Sequence, residues 1–556
     1  MVGDGLEPRR RRWGLALLVV CSVLPFLSTR HFAHVHDDHD LRGPTSLVAS
    51  EAALDVLWQS DLFGTAEEPV GPSGFWRPLI LLSFRIEHRL TNGARVPFAW
   101  LGHVNNLLLH ALATVGLLAL LTALGLAWWP AWIAAALFGV HPVHTESVAW
   151  ISGRSDVAAT ALAFWSLALA CDPRRRESAL ALTAAGLLGV AALLCKESAV
   201  LLIGLSAPLA SARGVSRRRA WGLPVAAVMT VLLLLTVLLL RTWLFKYVVG
   251  ADAYLGPEDL ATRWRTWASI LPELVRLQLW PGVATPIHPV PAVLRWGDPA
   301  MLVGAVLALT ALAGVVVAWR RALVVPLFGL GVLAGTLWMV APWVRFPTGY
   351  AEVAAPLYER YLYASCAGPV VLLVWWLRDS LVARPLVAGA AAVILIVTLG
   401  WAAHERCAPW ADDEAFALAG LAQAPDSSDL WNHLGYARLV GVLESSDVAG
   451  ASDGIEAFDR ALALDPSHRL ARLNRFLLLR LAGPSTLAEE GAGDLLRRYP
   501  DDPAVLDNVA GWHMGAGRWE FAAELLERAI ATGGALPGAE QALAHCRQRL
   551  AEAAGR

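Results

Sequence analysis

The chain has 556 residues, 56% of them hydrophobic and only 17% charged, with mean hydropathy +0.50. A soluble chain of this size carries about 25% charged residues, so repeated apolar runs of about 20 residues mark a polytopic helical membrane protein. The net charge of −2 does not suggest nucleic acid as a partner, and the six scattered cysteines contain no CxxC pair. Most of them sit in or beside apolar runs, where small buried side chains are expected rather than disulfides or metal ligands.

At the N-terminus, Arg9–Arg12 precede the apolar stretch Trp13–Leu27, and Ser28-Thr-Arg-His-Phe follows without a small-residue cleavage site. This reads as a retained first helix with its arginines in the cytoplasm. The Ala-, Leu- and Arg-rich style suggests a bacterial inner-membrane protein. Residues 30–97 then form a long outer loop. It opens with His34-Val-His-Asp-Asp-His-Asp40 and carries two amphipathic stretches, 46–64 and 77–90, expected to lie along the membrane surface. Residues 65–75 between them read as a Gly/Pro/Glu-rich loop.

Further apolar runs fall near 98–122, 128–140, 145–171, 179–195, 198–211, 220–244, 300–318, 322–343, 358–377 and 385–403. Arg174–Arg176, Arg217–Arg219, Arg320–Arg321, Arg378 and Arg384 place their flanks in the cytoplasm. His141–Glu146 and 344–357 then face out. The segment 264–281 carries Arg265, Glu273 and Arg276, and the charge rule holds if it is interfacial or re-entrant. The count is about 11 spans, with the last helix ending outside.

From about 410 to 556 the chain turns polar and helix-patterned. Pro466 and Pro500 are 34 residues apart, the tetratricopeptide period. Trp431, Leu434, Gly435, Phe458, Ala461 and Pro466 fall at that repeat's packing positions once about seven residues, 444–450, are taken as an insertion. A third unit spans 503–534, with Ala510, Gly517, Trp519, Ala522 and Ala529 in register, and a polar capping helix follows at about 537–553. The expected fold is therefore all-α: a membrane helical bundle over 1–405 and a tetratricopeptide-repeat (TPR) solenoid over 410–556, outside the membrane.

Ionisable residues at membrane depth are costly and are either paired or functional. His103, Asn106 and His110 share one helical stripe. His141, His144, Glu146, Arg154 and Asp156 follow in one segment, and Lys196-Glu197 and Glu359-Arg360 lie at other outer helix ends. Each set has a structural reading, as bonds across helices, packed ion pairs or snorkelling boundary residues. Their convergence on one side of the membrane favours a site. His141 and His144 straddle Pro142, a loop geometry unlike a metal-binding HExxH helix face, so no metal is assigned, although a divalent ion is not excluded.

The motifs HVHDDHDL, FWRPLILLSFRIEHRLTNGARVPFAWLGHVNNLLLH, HPVHTESVAWISGRSD, CKES and YERYLYASCAG, followed by the repeats, resemble the transmembrane-and-TPR O-mannosyltransferases, a family of GT-C glycosyltransferases. That family has YDDHE-like and ERYLYLPS sequences where this chain has HDDHD and ERYLYASC. The resemblance implies transfer of a hexose, mannose in the animal family, from a polyprenyl-phosphate donor to protein Ser/Thr hydroxyls on the outer face, with no cofactor. It also makes the acidic pair catalytic.

The residues allow such a chemistry. A base must take the acceptor proton, and a carboxylate beside another has its pKa raised. Asp37 and Asp38 form such a pair; in an extended segment they face opposite ways, and Asp37 is slightly favoured. Arg360, Lys196 and Arg154 are candidates to hold the donor phosphate, with Glu359 orienting Arg360. His103, His141, His144, Glu146 and Asp156 are assigned to sugar or acceptor contacts. The repeats would select the acceptor protein. The rival readings are a membrane scaffold that recruits partners through its repeats, and a transporter. The membrane half shows no internal duplication of the kind many transporters carry.

Overall fold

A computed structural model describes Glu7–Ala554 apart from 43–45, 65–74, 93–96, 176–177, 207, 210–259, 281, 283–284, 287, 291–292, 340–354, 446–447, 483–484 and 533–537. The apolar run 220–244, Arg217–Arg219, and most of the loops 65–75 and 344–357 lie outside the described residues. The described chain is almost wholly helical. One short antiparallel ladder pairs His288–Val290 with Ala355–Leu357 in the register His288↔Leu357. The chain divides into two compact units, Met1–Ala419 and Gly420–Arg556. The boundary falls about ten residues later than the composition shift near 410, because 406–416 packs back onto the first unit.

Five described segments of the first unit are long and apolar enough to cross a membrane: Pro8–His31, Phe98–Ala123, Pro299–Arg320, Glu359–Ala383 and Pro385–Trp410. Ala179–Cys195 and Val324–Gly335 are shorter apolar helices. Pro299–Arg320 and Pro385–Trp410 leave most of their Leu, Val and Ile side chains exposed, such as Leu309, Leu312, Ile394 and Val397. Helices satisfy their own backbone hydrogen bonds, so an apolar exposed surface of this kind suits lipid. Phe98–Ala123 is the buried centre, packed along Arg154–Cys171 and Trp128–Gly139.

Some apolar runs resolve differently from the sequence expectation. The run 128–140 is a 12-residue helix, Trp128–Gly139, buried on nearly all sides; at 1.5 Å per residue it is about 18 Å long, well short of a bilayer. The run 145–171 is not one helix but two, Thr145–Ala149 and Arg154–Cys171. At the break Trp150 turns extended, with ψ 128°, and the chain passes so close to itself that a Cβ at Gly153 would meet the Ser147 carbonyl oxygen at 2.8 Å. Leu260–Leu279 is a continuous 20-residue helix that does not meet the criteria for a span, and Glu273 and Arg276 pair on its exposed side. Between the first two membrane helices, Pro78–Thr91 is the expected amphipathic helix, burying Ile80, Leu81, Phe84 and Glu87. Residues 46–64 are helical only over Leu54–Gln59. There Arg85 donates to the carbonyls of Ser50 and Ala52, and the Ser46 hydroxyl accepts the Ala49 amide, so backbone that would have extended the helix is bonded elsewhere.

The second unit consists of consecutive helix pairs, Ser428–Ser445 with Ala451–Leu464, Arg469–Ala482 with Ser485–Arg498 and Pro503–Gly515 with Trp519–Ala531, and then Ala539–Ala554. Gly435 lies against the Phe458 ring so closely that a Cβ there would sit 2.6 Å from it. Overpacking of this kind costs about 1–3 kcal/mol. Gly435→Val should therefore lower the midpoint of a tryptophan-fluorescence unfolding transition assigned to this unit, whereas Gly441→Ala, with open space around it, should leave it unchanged or raise it slightly.

Candidate functional site

After the first membrane helix, Asp37 closes a turn and Asp38 opens a short helix, Asp38–Arg42. His36, just before Asp37, adopts the left-handed conformation with φ 55°. The two aspartates point apart. Asp38 is buried, 1% exposed, and accepts from the Ser152 amide at 2.9 Å, the Ser152 hydroxyl at 2.6 Å and the Val35 amide at 3.3 Å. Burial raises its pKa to about 7; the hydrogen bonds from Ser152 and Val35 oppose the rise, and neighbouring Asp37 adds to it. Asp37 keeps a third of its side chain exposed and contacts His36 Nε2 at 3.1 Å.

Ser152 is presented by the break before Arg154, and that break is fixed from behind. Asn106 donates to the Trp150 carbonyl at 2.9 Å, and its side-chain oxygen accepts from Arg154 Nε at 2.9 Å. Arg154 also donates to Ser83 and the Gly102 carbonyl, pairs with Glu87 at 2.7 Å and lies over the Phe84 ring. Although expected at the donor phosphate, Arg154 is fully buried and committed to these internal partners; it holds the frame of the site. Its partner is Glu87 rather than Asp156.

Asp156 instead takes Lys196, whose Nζ lies 2.6 Å from both carboxylate oxygens. Glu197, adjacent in sequence, faces Arg77 at 3.4 Å, and Arg77 also reaches the Ser155 hydroxyl at 3.3 Å. Arg360 is clamped by Glu146, which accepts its Nη1 at 2.5 Å and its backbone amide at 2.9 Å. The expected orienting role of Glu359 therefore belongs to Glu146. Glu359 binds Arg406 through both oxygens and His288 at 2.9 Å. Burial raises the pKa of Glu146 and the pairing with Arg360 opposes it. The Arg360 guanidinium stacks over Tyr358 at 3.8 Å and approaches Trp150 at 5.2 Å and Tyr361 at 5.4 Å. Lys196 lies 5.6 Å from the same Tyr361 ring, and the His36 ring lies 6.2 Å from Trp150. Trp150 thus stands between the acidic turn and Arg360, and Tyr361 between Arg360 and Lys196.

The histidines separate by role. His110 Nε2 donates to the Gly139 carbonyl at 2.8 Å and Nδ1 bonds Tyr363 Oη at 2.7 Å, so it ties helices together. His103 is buried on the same stripe, edge-on to Phe32. His141 caps the turn after Trp128–Gly139, accepting from the Val143 amide, and burial lowers its pKa to about 4. His144 is buried against Phe138 and Tyr363, its pKa lowered by burial and by the neighbouring histidines. Among the described residues, no group of three His, Cys, Asp or Glu side chains has the arrangement of a metal site.

A pocket of about 30 Å³ opens beside this cluster, with Asp156, Thr160, Tyr361 and Ser365 at its polar end and Leu202 and Val332 along its apolar wall. Ser152, Trp150, Glu87, Arg77 and Arg406 escaped the sequence reading. Glu87 had a signal, as an acid on the same face as Ile80 and Phe84. Ser152 and Trp150 had none, because their roles depend on the break at Gly153.

Fold and cluster together define an integral membrane protein of helical class with paired charges gathered beside the ends of its membrane helices. No protein-family model matches the chain, and no solved structure does. Curated relatives include protein O-mannosyl-transferase Tmtc2 of Drosophila melanogaster, 35% identical over 207 residues, which are 36% of this chain and 22% of that protein. Tmtc1 of the same fly is 36% identical over 201 residues, 34% of this chain and 22% of the relative. Human TMTC4 is 32% identical over 214 residues, 34% of this chain and 28% of the relative. The chain is homologous to the TMTC family of protein O-mannosyl-transferases, and the match spans between a fifth and three tenths of the length of these relatives.

The raised pKa of Asp38 gives a signed prediction. Below about pH 4 its protonation favours the folded state, and that contribution is lost as pH rises through about 7. Asp38→Asn removes the effect, so its stability relative to wild type should rise by ~2–4 kcal/mol between pH 4 and pH 8. Thermal unfolding in detergent at several pH values reads this difference.

Proposed function

We propose that the protein is a membrane glycosyltransferase that moves a hexose, mannose by analogy with its named relatives, from a polyprenyl-phosphate donor to protein Ser or Thr hydroxyls on the extracytoplasmic face. The carrying observation is the split pair: an Asp37 with a third of its side chain exposed beside a buried, hydrogen-bonded Asp38, on a turn that shares Trp150 as a neighbour with Arg360. In this reading Asp37 takes the acceptor hydroxyl proton as that oxygen attacks the sugar's C1. The bond from C1 to the phosphate oxygen breaks, and polyprenyl phosphate leaves with its charge held by Arg360 and Lys196. Glu146 and Asp156 orient those two cations. Asp38 fixes the turn through Ser152.

The histidines serve the frame more than the sugar, since His110 is bonded on both sides and His103 and His144 are buried. The bundle would lie in a bacterial inner membrane with the N-terminus cytoplasmic. The helix pairs of the second unit fit TPR repeats presenting an acceptor protein. A groove of about 970 Å³ there, lined by Glu489, Asp494, Arg497, Trp512 and Arg518, supports that role.

The purified protein in nanodiscs, given polyprenyl-phosphate [³H]mannose and a Ser/Thr-rich extracytoplasmic protein, should label the protein. Asp37→Asn with Asp38→Asn should reduce labelling at least about 10²-fold, the scale of a lost general base, while the variant still elutes as a folded species. Retained transfer in the double variant would remove the catalytic assignment.

A further inference from the structure

The turn that carries Asp37 is gripped from the far end of the membrane domain. Asp413 begins the helix Asp413–Leu421, which follows the last membrane helix and leads into the second unit. Its carboxylate takes two donors from the turn. Oδ1 accepts the His36 backbone amide at 2.9 Å, and Oδ2 lies 2.6 Å from His39 Nε2. The Asp413 side chain is only 9% exposed, while His39 keeps about a third of its surface in solvent, so the carboxylate is held mostly out of water, where charge-assisted hydrogen bonds are stronger. Two further contacts reinforce the grip. The Ala33 amide donates to the Ala411 carbonyl at 2.9 Å, and the His36 ring stacks on Phe416 with centroids 5.4 Å apart. Trp410 closes the edge between Phe416 and Trp150.

The residue gripped is the one in an unfavourable conformation. His36 has φ 55°, a region that non-glycine residues enter rarely and at a cost of order 1 kcal/mol or more. Such a conformation persists only where neighbours over-determine it. Here the determinants are Asp413 on the amide and Phe416 on the ring. Reversal of the chain at His36 sends Asp38 inward to Ser152 and leaves Asp37 outward.

We infer that Asp413 is a positioning residue for Asp37: by holding the His36 amide and the His39 ring it fixes the turn so that Asp37 faces the reacting hydroxyl. This rests on the reading of Asp37 as the base. It also gives the segment after the last membrane helix a task in the reaction. The carboxylate of Asp413 favours the protonated form of His39 and so raises its pKa against the effect of burial, with Asp38 and Asp40 adding to the rise.

The test uses the full chain in nanodiscs, with Asp413→Ala and Asp413→Asn compared with wild type. Asparagine keeps an oxygen for the His36 amide and loses the charge facing His39. Hydrogen exchange of peptides covering 33–40 should be about tenfold faster in Asp413→Ala and intermediate in Asp413→Asn, with the membrane helices unchanged. With polyprenyl-phosphate mannose as donor, kcat should fall by about 10-fold or more in Asp413→Ala, recover partly in Asp413→Asn, and leave the donor KM within about twofold, as for a group acting on the chemical step alone. Unchanged exchange over 33–40 would overturn the inference, and so would faster exchange with unchanged kcat. A donor KM that rises in step with the loss of kcat would also overturn it, pointing to general damage of the site. If wild type transfers no mannose while exchange at 33–40 responds to Asp413→Ala, the clamp stands and the transferase reading is what fails.

Discussion

The site depends on one buried guanidinium. Arg154 starts the helix Arg154–Cys171 with no exposure to solvent and needs a partner for every donor it carries. Glu87 supplies the countercharge from the helix Pro78–Thr91, and Asn106 and the Gly102 carbonyl supply oxygens from the central membrane helix. Asn106 relays this arrangement to the Trp150 carbonyl, and two residues on Ser152 takes the Asp38 carboxylate. A continuous polar chain therefore runs from that helix, Pro78–Thr91, to the acidic pair. Removing one member of a buried pair leaves a charge uncompensated, at about 3–5 kcal/mol. That cost is what makes the chain rigid enough to hold two adjacent aspartates in different environments.

The other charged groups divide by the same logic. Glu359 with Arg406 and His288 ties the end of the last membrane helix to the two-stranded ladder. Lys196 and Arg360 are also paired, but both lie near the ring of Tyr361, which lines the pocket next to Asp156, and Arg360 retains about a fifth of its side-chain exposure. Cations held by one carboxylate and resting on aromatic faces can take a second, stronger anion without moving far. Arg154, saturated by four partners, cannot.

Much of the fold was legible from composition and period. Hydropathy located the apolar helices, because burying backbone in lipid demands long uninterrupted runs. The prolines spaced by 34 residues anticipated the helix pairs of the second unit. Two errors share a cause: the runs 128–140 and 145–171 are apolar because protein surrounds them, and hydropathy does not distinguish a buried core helix from a lipid-facing one. At the site, residue types were legible and partners were not. The sequence placed Glu359 beside Arg360 and Arg154 near Asp156, whereas the chain pairs Arg360 with Glu146, 214 residues away, and Arg154 with Glu87. The inequality of Asp37 and Asp38 depends on Gly153 and Asp413, which bring distant segments to the turn, and no local pattern encodes that.

The place where a lipid-linked sugar phosphate binds decides between a transferase and a scaffold. A cryo-electron microscopy structure of the protein in nanodiscs with a non-hydrolysable polyprenyl-phosphonate mannose decides this most directly. Phosphonate density should lie within hydrogen-bond distance of Arg360, with the sugar's C1 turned towards Asp37 and Asp38 still bonded to Ser152. Density for the phosphonate elsewhere, with the Arg360 and Asp37 surfaces unoccupied, would contradict the transferase reading.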